Sequence, residues 1–411
     1  MVDLDIRNRC SVNTNFAENV FVGIKCVNGD VTINFPLGFN VSESNEELRK
    51  DIFLLINTLS ANTDKKESQI LGRTKIYEET KFPIQSYIAI IRDYFERGYY
   101  KEREMQYAVS KKGKIDWNRT IKTQKPYVQD NSAYYLSFVT KKNNINTDNM
   151  ITLIHEYCVY DSFQKVGWLF PIKKLPRPKI KFNEKLFISV IREKLNSTYN
   201  DRNRRLFNDM LSILKCMGDE NAPINYKYGP YRFEYIWENI IDKVFGIKNK
   251  EIYFPKTSWK INGQKKDNSA LEPDTIMLLK DDVYVLDSKY YKYGYTAQIS
   301  HLPQSSSINK QITYGEYIDT NYIFKIIHGN DMKVYNAFIM PFNSEKGIFA
   351  TGENNKIIYI GEAESEWKTN KKTYEKVHGI LIDTKYLMKI NISKDDKLIE
   401  ELGRIIKYKI N

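Results

Sequence analysis

The chain has 411 residues, with 63 Lys and Arg against 51 Asp and Glu, a formal charge of +12 and a pI near 9.1. Its length exceeds one ordinary domain and predicts two or three, each able to bury a core. The basic balance favours an anionic partner such as nucleic acid, while a basic protein kept soluble by its charge fits the same numbers. Cys10, Cys26, Cys158 and Cys216 lie far apart without a CxxC pair, which argues for free thiols in a reducing cytosol and against a zinc site. No run approaches the roughly 18 apolar residues that span a bilayer, and the N-terminus lacks a basic and then apolar signal. The expectation is a soluble, cytoplasmic protein with no membrane partner.

In chain order, "VFVGIKCV" and "VTINFPLGF" read as strands, and "LRKDIFLLINTLS" as a helix with Leu48, Ile52, Leu55, Ile56 and Leu59 at helical spacing. A second helix, "IQSYIAIIRDYFERGYY", follows Pro83. "KKGKIDWNRTIK" and "YYLSFVT" read as extended segments, and "MITLIHEYCVYDSFQKVGWLF" as either helix or strand. Between 171 and 178, "PIKKLPRP" interrupts regular structure and predicts a domain boundary. An α+β domain over 1–175 is therefore expected, followed by a second domain over 176–411.

The second part opens with two amphipathic helices, one carrying Leu186, Phe187, Val190 and Ile191, the other Leu206, Met210, Ile213, Leu214 and Met217. Arg202, Arg204 and Arg205 at the second helix read as a solvated helix end, with phosphate contact as the alternative. In "PYRFEYIWENIIDKVFG" an apolar stripe runs from Phe233 to Val244, flanked by Glu234 and Glu238.

The chemistry concentrates in "LEPDTIMLLKDDVYVLDSKYY", residues 271–291. As an antiparallel hairpin turning at Asp281 and Asp282, it pairs Lys280 with Val283, Ile276 with Asp287 and Asp274 with Lys289. Asp274, Asp287 and Lys289 then share a face and an end. Two neighbouring carboxylates repel unless a cation holds them, and hard oxygen donors suit Mg²⁺. A lysine beside such a cation can orient water or stabilise a developing phosphorane charge, the requirement of phosphodiester hydrolysis. The competing reading is a cross-strand salt bridge between Asp274 and Lys289, with Asp287 solvated.

Pro273-Asp274, twelve intervening residues and Asp287-Ser288-Lys289, after a helix with acidic residues, resemble the PD-(D/E)xK nuclease superfamily. That resemblance implies an α/β nuclease domain with a mixed sheet flanked by helices. "FEYIWENI", "LEPDTI", "YVLDSKYY", "LPQSSSINKQITYGEYI", "NAFIMPF" and "YEKVHGILIDTKYLM", in this order, are similar to LlaJI-type restriction endonucleases. "GKIDWNRTIK" resembles a motif of McrC-type proteins, the nuclease partners of an McrB-like AAA+ GTPase, with a β-turn and strand as the plain alternative. A separate motor subunit would agree with the lack of a G-x-x-x-x-G-K-[ST] loop in this sequence.

The resemblance implies a restriction endonuclease subunit acting on double-stranded DNA, with Mg²⁺ on Asp274, Asp287 and the Ser288 carbonyl. It makes Lys289 the water-orienting residue and Glu238, ahead of Glu234, the helix glutamate. Gln311 is a secondary candidate for a phosphate contact at the start of a helix, although Gly315 breaks the Q-x-x-x-Y pattern of related nucleases. The rival readings are a regulatory subunit that stimulates a partner GTPase and a DNA-binding module without catalysis.

Overall fold

The computed structural model describes residues 6–17, 19–62, 82–129, 132–146, 149–170, 175–217, 224–351, 355–369, 371–390 and 394–408. Contacts divide the chain into two units, Met1–Phe82 with Pro223–Asn411, and Pro83–Ala222.

The first unit begins with strands β1 (Cys10–Val12), β2 (Gly23–Val27) and β3 (Asp30–Phe35) and helix α1 (Asn45–Ala61). β3 pairs parallel with β1 and antiparallel with β2. On β3, Val31, Ile33 and Phe35 are buried in alternation, the period of a one-sided sheet. The Ser44 side chain caps α1 by accepting the Glu47 N–H, and Leu48, Ile52, Leu55, Ile56 and Leu59 form the expected buried stripe.

The second unit contains α2 (Ile84–Arg97), β4 (Glu102–Ser110), β5 (Lys114–Ile115), α3 (Trp117–Thr123), β6 (Tyr127–Gln129), β7 (Ser132–Tyr134), β8 (Phe138–Asn146), α4 (Met150–Val166), α5 (Glu184–Ser197) and α6 (Asp201–Cys216). β8 lies between β4 and β5, antiparallel to both. The ambiguous segment from residue 150 is helical, capped by the Asn149 side chain. "DWNRTIK" is also helical rather than extended, because the Asp116 carboxylate accepts the Arg119 N–H at 3.1 Å and starts a turn.

The division by contacts differs from the boundary expected at 171–178. Helices on both sides of those prolines, α4 with α5 and α6, pack together. His155 is buried and accepts the Tyr100 N–H on Nδ1 at 2.9 Å, a core role. Leu186 is exposed while Phe187 and Ile191 are buried. Arg202 pairs with Asp93 and Glu96, in keeping with a solvated helix end.

The chain returns to the first unit with β9 (Tyr226–Tyr228), which pairs with β2 and completes the order β1-β3-β2-β9. Then follow α7 (Glu234–Phe245), the hairpin β10 (Ser258–Ile261) and β11 (Gln264–Asp267), β12 (Thr275–Leu279), β13 (Asp282–Ser288), α8 (Ser305–Thr320), α9 (Tyr322–His328), β14 (Val334–Phe342), β15 (Ile357–Ala363), β16 (Val377–Asp383), α10 (Thr384–Ile390) and α11 (Asp396–Tyr408).

Five of these strands form a mixed sheet in the order β12-β13-β14-β16-β15. β13, β14 and β16 run parallel, and the outer strands are antiparallel to their neighbours. The three inner strands are almost wholly buried, as parallel strands covered on both faces must be. Ile276, Val283, Val285, Phe338 and Leu381 pack in one core with Ile312, Tyr314 and Ile318 of α8. Gly315 permits that approach: a Cβ there would lie 2.6 Å from the Tyr374 Cβ and 2.7 Å from the Asn336 Nδ2.

Candidate functional site

The β12–β13 hairpin turns at Lys280 and Asp281, one residue earlier than expected, and pairs Leu279 with Asp282, Ile276 with Val285 and Thr275 with Leu286. Asp282 stays in the strand because its side chain is already engaged, with Oδ1 accepting the Lys333 N–H at 3.1 Å and Oδ2 meeting Lys407. Lys280 takes the left-handed turn position, φ 55°. The expected pairings of Ile276 with Asp287 and Asp274 with Lys289 are therefore corrected by two residues. A shift of two preserves the faces, so Asp274 now comes opposite Asp287 rather than Lys289, with all three groups still at one end.

Asp274 follows the buried Pro273 and is fixed through its backbone carbonyl, which accepts from the Lys250 ammonium. Lys250 also pairs with Asp242 of α7 at 2.7 Å. The Asp274 Oδ2 accepts the Ser288 N–H at 2.8 Å. In a regular strand the N–H and C=O of one residue leave on the same side, which for Ser288 is the side of Asp274. The Lys289 ammonium lies 2.6 Å from the Asp287 Oδ2 and 5.8 Å from the centroid of the Phe338 ring. The salt bridge is thus made by Lys289 with its own strand neighbour, not with Asp274.

Burial raises the Asp274 pKa well above the usual carboxylate range, and the negative charges of Asp287 and Glu238 raise it further. For Lys289, burial acts to lower the pKa but is outweighed by Asp287 and Asp274, so the group is held above its ordinary value and stays charged. The Glu238 charge reaches Asp274, whereas Glu234 is tied to Arg232 at 2.6 Å. Of the two helix glutamates, Glu238 is the one the fold brings toward the pair.

Gln311 does not open its helix but lies in the second turn of α8. It is buried, and its side-chain amide donates to the Val285 carbonyl at 2.7 Å, which anchors α8 to β13. Lys310 and Tyr314, which have no role in the motif, both feel Asp287 and Asp274. Tyr314 donates to the Glu272 carbonyl at 3.1 Å and accepts from Lys310. Their spacing of four on one helix was the available signal.

Among the described residues no three His, Cys, Asp or Glu side chains gather into one metal-holding group. Two carboxylates and a backbone carbonyl nonetheless form a hard-oxygen set of the size Mg²⁺ uses, the remainder being water. Burial first, and then the charges of Asp287 and Glu238, disfavour the ionised form of Asp274, and a cation held there would favour it. The residues fit such an ion.

A family description and one curated relative both name restriction enzymes. The chain is 25% identical over 272 residues to the "Type II restriction enzyme BsuMI component YdjA" of Bacillus subtilis (strain 168), covering 61% of this chain. The match spans 56% of that relative's length, little more than half. A solved structure of Thermococcus gammatolerans McrB AAA+ hexamers with bound McrC is similar at 13% identity and a TM-score of 0.33, covering 91% of this chain and 82% of the other. The description "LlaJI restriction endonuclease" matches residues 21–385. With most of its length inside that match, the chain belongs to the LlaJI restriction endonuclease family.

Proposed function

We propose that the chain is the Mg²⁺-dependent DNA endonuclease subunit of a restriction system, hydrolysing phosphodiester bonds in double-stranded DNA alongside an McrB-like AAA+ GTPase. The observation that carries this reading is the convergence of Asp274, Asp287 and Lys289 at one end of the hairpin. The mixed sheet with flanking helices supports a PD-(D/E)xK core.

Asp274, Asp287 and the Ser288 carbonyl would hold Mg²⁺, with Glu238 acting through water. When bound, the cation supplies positive charge to the phosphate and acidity to a nearby water. Lys289 stays protonated, so it serves as a hydrogen-bond donor that orients water and steadies charge on phosphate oxygens, not as a base. Any proton held on Asp274 leaves when the carboxylate is needed as a ligand. Lys310, anchored on Tyr314, adds a second cation on the α8 side.

Docking to the GTPase would fall to the Pro83–Ala222 unit, which carries the segment that resembles the McrC motif. Trp117, Ile121, Val128 and Leu136 there are all more than half exposed, and apolar groups so displayed favour a protein partner. Cleavage of duplex DNA by the assembled system tests the reading: Asp274→Ala or Asp287→Ala, folded and assembled, is expected to lose cutting, and wild-type cutting by either would reject the assignment.

A further inference from the structure

We propose that the β10–β11 ribbon, Ser258–Asp267, is a duplex-DNA contact that fits the groove beside the scissile phosphate; this rests on the nuclease reading above. The ribbon closes with Asn262 and Gly263 at φ 49° and 78°, the primed two-residue turn that matches strand twist. Every residue from 256 to 269 is exposed, so neither face of the ribbon is covered. A hairpin without a covered face is marginal in water.

Its chemistry is that of a nucleic-acid reader. Lys256, Lys260, Lys265 and Lys266 stand against Asp267, the only acidic residue between 256 and 267. Lys260 lies directly opposite Lys265; the Lys265 ammonium pairs with Asp267 at 2.7 Å, which leaves Lys260 as the exposed cation of that face. The other face groups Trp259 and Ile261, exposed by 61% and 57%, with Lys266 and Gln264. Apolar groups suit thymine methyls, Gln and Lys suit purine edges, and a two-stranded ribbon fits the major groove. Lysines on both faces reach phosphates.

The placement ties this ribbon to the reacting end of the sheet. Asn268 N–H donates to the Thr257 carbonyl and Leu271 N–H to the Pro255 carbonyl, both at 2.9 Å. Glu272, next in the chain, is held by Tyr314 two residues before Asp274. A duplex gripped by the ribbon is thereby registered against Asp274 and Asp287.

The test measures binding of the full chain to a labelled duplex with Ca²⁺ in place of Mg²⁺, over a series of salt concentrations. The combined Lys260→Ala, Lys265→Ala and Lys266→Ala variant is expected to bind at least about tenfold more weakly, with a log–log salt slope smaller by about 2–3. Trp259→Ala should weaken binding without changing that slope. Both variants should unfold at the wild-type temperature, since no ribbon residue is buried. Wild-type affinity and slope in the lysine variant, no duplex binding by the wild type, or a loss confined to a protein partner would each overturn the ribbon assignment. Asp287→Ala separates the two proposals: cutting by it would reject the nuclease site while leaving the ribbon result in force, and the ribbon result is read from the lysine and Trp259 variants alone.

Discussion

Trp237 and Lys289 share one acceptor: the Ile339 carbonyl receives the Trp237 indole N–H at 3.2 Å and the Lys289 backbone N–H at 2.9 Å. Through that oxygen the helix carrying Glu238 is joined to the strand end carrying Lys289. Trp237→Phe removes the indole donor and leaves the carbonyl satisfied by Lys289. The expected loss is about 1–3 kcal/mol, combining one hydrogen bond with a small cavity. Urea unfolding measures it, and wild-type stability in this variant would show that the shared acceptor does not matter.

The raised pKa of Asp274 gives a stability prediction with a definite sign. Between the ordinary Asp value and the raised one, the folded state holds more protons than the unfolded state. The metal-free protein therefore has this contribution in full at low pH and loses it as pH rises through the folded pKa. Asp274→Asn should flatten that decline and raise the melting temperature of the metal-free protein near neutrality, while abolishing cleavage. Mg²⁺ should stabilise the wild type and not the variant. A variant melting below wild type without metal would contradict the repulsion argued for the pair.

Lys385 at the start of α10 pairs with the buried Asp51 of α1 at 2.8 Å and donates to the Asn40 carbonyl, and Asp51 also accepts the Ser42 N–H at 2.9 Å. Removing one partner leaves a charge buried without compensation, a loss of about 3–5 kcal/mol. Lys385→Met should fall in that range by urea unfolding. A change below about 1 kcal/mol would mean the pair does not hold α1 to α10 within their common unit.

His378 is fully buried on β16, neither ring nitrogen has a hydrogen-bond partner, and burial pushes its pKa down to about 4. The unfolded state takes up a proton below about pH 6.5 and the folded state does not until about 4, so stability falls as pH drops through that window. The full difference is about 3 kcal/mol. His378→Leu should remove most of this slope in unfolding measured from pH 7 to 4, and an unchanged slope would assign the acid sensitivity elsewhere.

The convergence of the candidate residues was legible in the sequence because period two survives a register error of two. Asp274, Asp287 and Lys289 keep their common end whether the turn is centred on Asp281–Asp282 or on Lys280–Asp281. The exact turn was hidden because Asp282 looks like a turn residue, and only the folded chain brings Lys333 and Lys407 to hold it in the strand. The two-unit division was hidden for a similar reason. Pairing of β2 with β9 joins residues about two hundred apart, and no local pattern at the 171–178 prolines reports it. Asp116, by contrast, carried a visible cap signal for α3 that a strand reading passed over.

The central claim is that Asp274 and Asp287 hold a divalent cation beside Lys289 for phosphodiester hydrolysis. Single-turnover cleavage of a DNA duplex by the assembled wild type, Asp287→Asn and Lys289→Met, titrated with Mg²⁺, addresses it most directly. The account predicts a wild-type rate that saturates with Mg²⁺ and vanishes with EDTA, and a loss of at least about 100-fold in both variants with DNA binding intact. Cleavage that persists in EDTA, or that either variant performs at the wild-type rate, would contradict it.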